Sequence, residues 1–83
     1  MAEIEQAEQK GKKPSTAVLN KLKELSRQAP RDHRVHALLG NGLTVAGRHD
    51  ESVHSLERAV QLAPDNKGWN QLLGNALLAK GVL

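Results

Sequence analysis

The chain has no cysteine, tyrosine or phenylalanine and a single tryptophan, Trp69, in 83 residues. Without cysteine there can be neither a disulfide framework nor a thiolate metal site to brace it. With 39% apolar residues and one aromatic, the core must be built from Leu, Val and Ala packed between helices, which argues against a β-sandwich. No apolar run approaches the ~20 residues a membrane span needs. The opening MAEIEQAEQKGKK is polar and acidic where a signal peptide would be basic and then hydrophobic. A soluble, cytoplasmic protein is expected. A globule of this size buries only roughly 60 to 65% of the surface its unfolded chain exposes, so stability is limited.

Charge is unevenly spread. Residues 1–9 carry three acids, residues 10–34 carry eight bases against Glu24 and Asp32, and residues 35–83 balance at four against four. The basic stretch (Lys10, Lys12, Lys13, Lys21, Lys23, Arg27, Arg31, Arg34) could attract nucleic acid, an anionic membrane or an acidic partner. It lacks stacking aromatics and any recognised reading motif, so a solvated helix face is the preferred reading and nucleic acid the minor one.

A shift of 34 residues superposes Ala29-Pro30 on Ala63-Pro64, Leu38-Leu39-Gly40-Asn41 on Leu72-Leu73-Gly74-Asn75, Leu43 on Leu77 and Gly47 on Gly81. Each period contains two helical stretches separated by a glycine. Over 33–46, the residues His36, Leu39, Gly40, Leu43 and Ala46 share one helical face, expected to be buried. Over 49–62, Ser52, Leu56, Ala59 and Val60 do the same while Glu51, Arg58 and Gln61 point elsewhere. Gly47 suits the left-handed residue that closes a helix, Pro64 stops the second helix, and Asp32 and Asn66 are placed to cap the helices that follow the prolines. The small residues Gly40, Ser52, Ala59 and Gly74 all read as inward, where they allow close helix packing.

These residues resemble the tetratricopeptide repeat, whose 34-residue helix-turn-helix unit carries the pattern W-x2-L-G-x2-Y…A-x3-F…P. Leu39-Gly40 match the L-G pair, Leu43 takes the Tyr place, Ser52 the small-residue place, Leu56 the Phe place and Pro64 the proline, while His36 replaces the signature Trp. The resemblance implies an all-α fold of about four to five helices, arranged as antiparallel helix-turn-helix repeats in a short right-handed α-solenoid. Its parts are a polar segment 1–13, either a frayed end or a weak helix, then a domain over 14–83. That domain divides into a partial repeat (14–32), a full repeat (33–66) and a second partial repeat (67–83).

First helices of such arrays line a concave groove that holds a partner's peptide or helix. By resemblance the groove here runs over Arg34, Ala37, Asn41 and Thr44, then Gly68, Gln71, Asn75 and Leu78. Asn41 and Asn75 can both donate to and accept from a ligand peptide bond. The carboxylate clamp of one branch of the family is not expected, because Ala37 and Gln71 stand where its Lys would be. The unfinished last repeat would leave Trp69, Leu77, Val82 and Leu83 at an uncapped end, covered by a continuation of the chain or by another copy. Trp69 could anchor that contact or pack locally on Val60 or Leu62.

His33, His36, His49 and His54 invite a metal reading, but no third ligand is obviously placed, and His36 and His49 take positions where the family often packs aromatics. No cofactor is implied. Catalytic signatures are missing as well: there is no G-x-S-x-G, P-loop or H-E-x-x-H, and Ser52, Ser55, His49 and His54 lie on one helix. The expected function is a non-catalytic protein-interaction module, binding a peptide, helix or partner subunit and prone to form homo-oligomers. The alternative is an N-terminal regulatory or substrate-positioning array of a larger enzyme such as a bacterial transferase.

Overall fold

The structure is a computed structural model that describes residues 16–81. The expectation for 1–13, and those for Val82 and Leu83, lie outside the described residues. Within them the chain is all helical, with α1 (Thr16–Gln28), α2 (His33–Val45), α3 (His49–Leu62) and α4 (Lys67–Lys80). None of these helices is long and apolar enough to cross a membrane. Only a few residues separate successive helices, so each must fold back against its predecessor. α2 packs on α1 and α3, α3 packs on α2 and α4, and α2 also touches α4.

The helix ends follow from local chemistry. Asp32 precedes α2 in extended conformation, and its carboxylate accepts the Arg34 N–H at 3.0 Å. Asn66 does the same for α4, its Oδ1 accepting the Trp69 N–H at 3.0 Å. Each satisfies one amide that the first turn leaves without a helical partner. α3 has no side-chain cap, but Asp50 and Glu51 in its first turn face the positive end of the helix dipole. Gly47 after α2 and Gly81 after α4 adopt φ of 82° and 90°, the left-handed region that other residues enter at a cost.

The repeat also shows in the turns. His36 Nε2 donates to the Pro30 carbonyl at 2.8 Å, and Asn70 Nδ2 donates to the Pro64 carbonyl at 3.1 Å. Both residues occupy the place where a signature Trp was expected, one period apart. The expectation that His36 simply packs there is therefore sharpened: a polar side chain staples the proline turn to the helix that follows it.

The core forms two connected clusters. Leu19, Leu39 and Leu43 are buried between α1 and α2, with Leu22 and Ala46 against them. Ala37, Val53, Leu56, Ala59 and Ala76 are buried where α2, α3 and α4 meet, and Trp69, Leu72, Leu73 and Leu77 pack around them. The inward face expected for residues 33–46 is the buried one at Leu39, Gly40 and Leu43, and Ser52, Leu56 and Ala59 are fully covered. Val53 and Ser55 are buried as well, because α3 is sandwiched between two helices and not merely laid on one.

Gly40 shows why a small residue is needed at the α2–α3 crossing. A Cβ built on it would lie 2.5 Å from Leu56 Cγ, well inside contact distance. Its carbonyl accepts from Thr44 Oγ1 at 3.0 Å and from Ser52 Oγ at 2.8 Å, and the two hydroxyls also touch each other. The buried Ser52 is thereby fully engaged. Gly74, expected to be inward like Gly40, is different: nothing lies within 4 Å of its would-be Cβ.

Candidate functional site

The expected groove residues separate into two groups. Arg34 and Asn41 on α2, and Gly68, Gln71, Asn75 and Leu78 on α4, are exposed. Ala37 is not: at 1% exposure it belongs to the core shared with α3 and α4. Thr44 is half-buried and committed to Gly40 and Ser52. The reason for this correction is α4 itself. It lies along the flank of α2 that carries Ala37, while the corresponding flank of α4, with Gln71 and Leu78, has no described helix upon it.

The open stripe on α2 consists of Arg34, Leu38, Asn41 and Val45. These lie four, three and four residues apart, and so within a narrow arc of the helix. Leu38 is 57% exposed and Val45 41% exposed, so two large aliphatics stand on this face. The sequence reading missed both. The signal that could have found them is the twin apolar residue: Leu38 beside Leu39 and Val45 next to Ala46 cannot all face one core. Arg34 Nε lies 3.5 Å from Asp32 Oδ1, which leaves the guanidinium on the surface at one end of the stripe.

Electrostatics gather at the N-terminus of α3. Glu51 receives Arg48 Nε at 2.6 Å and Arg48 Nη2 at 3.0 Å, a forked pair, and Lys23 of α1 approaches at 3.4 Å. The Arg48 hydrogen bonds outweigh desolvation and, with Lys23, hold the Glu51 carboxyl below its ordinary range. Lys80 at the end of α4 meets Asp50 at 3.0 Å. At Asp32, desolvation pulls the carboxyl up, but the Arg34 and Val35 amides together with the Arg34 charge leave it lowered. These groups are solvent-exposed and orient helix ends.

Trp69 and Leu77, expected at an uncapped end, are half-buried against the core. The indole Nε1 donates to His33 Nδ1 at 2.7 Å, with the ring centroids 6.0 Å apart and tilted by 58°. In this bond His33 Nδ1 is the acceptor, the role open to it in the tautomer that carries its proton on Nε2. Trp69 thus joins α4 to the start of α2, and Leu78, at 59% exposure, is the large apolar side chain that α4 presents. His54 is exposed, and His49 Nδ1 is buried without a hydrogen-bond partner. Among the described residues no three of His, Asp and Glu converge on a point that could hold a metal ion.

Fold and surface together define a small, repeat-like all-α protein whose open features are helix faces. No protein-family model, curated protein or solved structure matches the chain.

Proposed function

We propose that this chain is a non-catalytic protein-interaction module, a short right-handed solenoid of the tetratricopeptide kind. Its α2 and α4 stripes hold an extended peptide or helix from a partner protein. The observation that carries the reading is the exposure of Leu38 and Val45 on either side of Asn41, with Asn75 one period further on. Apolar side chains alternating with an amide suit a peptide ligand: the aliphatics cover its side chains and the amide pairs with its backbone. α2 and α4 are in contact, and one ligand would span both stripes. Arg34 at one end favours a ligand with an acidic residue there.

The test is selection of binders from a random peptide library on the 83-residue chain, followed by titration of the best sequence. The combined change Asn41→Ala, Asn75→Ala and Leu38→Ser is expected to weaken binding by about tenfold or more, a loss of ~1.4 kcal/mol or greater. Peptides that bind equally well to this variant, or a library that yields none, would refute the groove.

A further inference from the structure

We infer that α4 of one copy and α1 of the next pair to form a complete helical hairpin, so that copies of this chain associate head to tail. Among the described residues, the first and last helices each supply half of the unit found intact in the middle. In the 34-residue register α4 is the counterpart of α2, and α1 the counterpart of α3. Within the chain α2 is covered by α3, but among the described residues α4 has no such covering helix and α1 has no helix before it. The contact shares Leu78 with the α4 stripe of the proposed groove, but it rests on the repeat register and not on peptide binding.

Three residue pairs support it. The contact of Leu56 over Gly40 has as its counterpart Leu22 over Gly74, the same two residue types in the same register. Leu56 is fully buried whereas Leu22 is only half-buried, and the space above Gly74 is open. The second pair is Ser52 with Thr44, whose hydroxyls touch in the α2–α3 crossing. Their counterparts are Val18 and Leu78, 49% and 59% exposed, so both partners change from hydroxyl to hydrocarbon together. A hydroxyl facing a hydrocarbon would lose its partner, while two hydrocarbons bury one another. The third pair is related by register alone: Ala59 and Leu43, both buried, correspond to Leu25 and Leu77, both half-buried. Against the match stands Lys21 in the place of buried Ser55, and its long stem can carry the ammonium out to water.

Such a contact joins unlike surfaces, so it does not close at two copies but propagates into a chain or ring. Sedimentation of the 83-residue chain should show an average mass that climbs from 9.0 kDa through the dimer as concentration rises. Val18→Lys blocks one surface and Leu78→Lys the other. Each variant alone should remain monomeric at every concentration, with unchanged helical circular dichroism. Mixed, they should form a one-to-one dimer and nothing larger, since one intact surface remains on each. A wild-type chain that stays monomeric, as it would if residues 1–15 or 82–83 covered these faces, overturns the proposal. So does a Val18→Lys variant that still dimerises, which would mark a symmetric contact through α4.

An independent reading uses the absence of cysteine in the natural chain. Because the Thr44 and Ser52 hydroxyls touch, cysteines at the corresponding positions 78 and 18 should lie within disulfide reach. The double change Val18→Cys with Leu78→Cys should oxidise to a covalent ladder, and either single change to a dimer at most. Failure of the double variant to form trimers and larger species would contradict the pairing, even if the lysine variants proved unstable.

Discussion

Gly40 and Gly74 occupy the same position one period apart and have opposite surroundings. Leu56 fills the space above Gly40, so Gly40→Ala must push the two helices apart and is expected to cost about 1–3 kcal/mol. At Gly74 the added methyl meets nothing, and Gly74→Ala should stabilise dilute protein by about 0.5–1 kcal/mol through helix propensity alone. Chemical denaturation of the two variants side by side checks both signs, and a loss at Gly74 would mean that its surface is already covered. The sequence made the two glycines look equivalent because a repeat reports what a position resembles, not whether its neighbour is present. Ala37 and Thr44 were misplaced for a related reason. Helical spacing finds the arc of a face, but two adjacent arcs of α2 are each partly apolar, and only the position of α4 decides which is closed.

At the scale of the helix, the ends were the most legible part of the chain, since caps depend on a few adjacent residues. Asp32 and Asn66 cap, and Gly47 turns left-handed, where the sequence placed them. The start of α3 was less legible because the group that matters there, the Glu51 pair with Arg48 and Lys23, draws one partner from α1, 28 residues away. Loss of the Asn66 cap in Asn66→Ala should lower stability by about 1 kcal/mol. Acid should act through the other two sites. Asp32 and Glu51 both titrate lower in the folded chain than ordinary carboxyls, so the stability they lend is complete above the ordinary range and is lost as pH falls through it to the folded values. The contribution of these two carboxyls to the thermal midpoint is therefore expected to stay level from neutrality to about pH 5 and to decline below about pH 4. Glu51→Gln should show a shallower decline, and a midpoint that rises on acidification would contradict the assignment.

At the scale of the whole molecule, burial among the described residues is concentrated in the middle. α2 and α3 contribute four and five buried residues, whereas α1 contributes Leu19 alone and α4 contributes Ala76 alone. α4 nevertheless has further attachments at both ends, the Trp69 indole on His33 and Lys80 on Asp50, together with the half-buried leucines packed on the core. Among the described residues, α1 is attached by Leu19 and Leu22 against α2 and by the exposed pair of Lys23 with Glu51. In a linear array each unit is held only by its neighbours, so the least attached helix should open first. Amide exchange is therefore expected to be fastest in α1, slower in α4 and slowest in α2 and α3. Since Trp69 is the one aromatic residue, its fluorescence reports on the α4 joint while circular dichroism reports on every helix. On heating dilute protein, ellipticity should begin to fall before the indole signal shifts; superimposable transitions would show that α1 is bound into one cooperative unit with the rest. Raising the protein concentration should slow exchange in α1 more than in the central pair, because the proposed head-to-tail contact would lay a neighbouring α4 on α1.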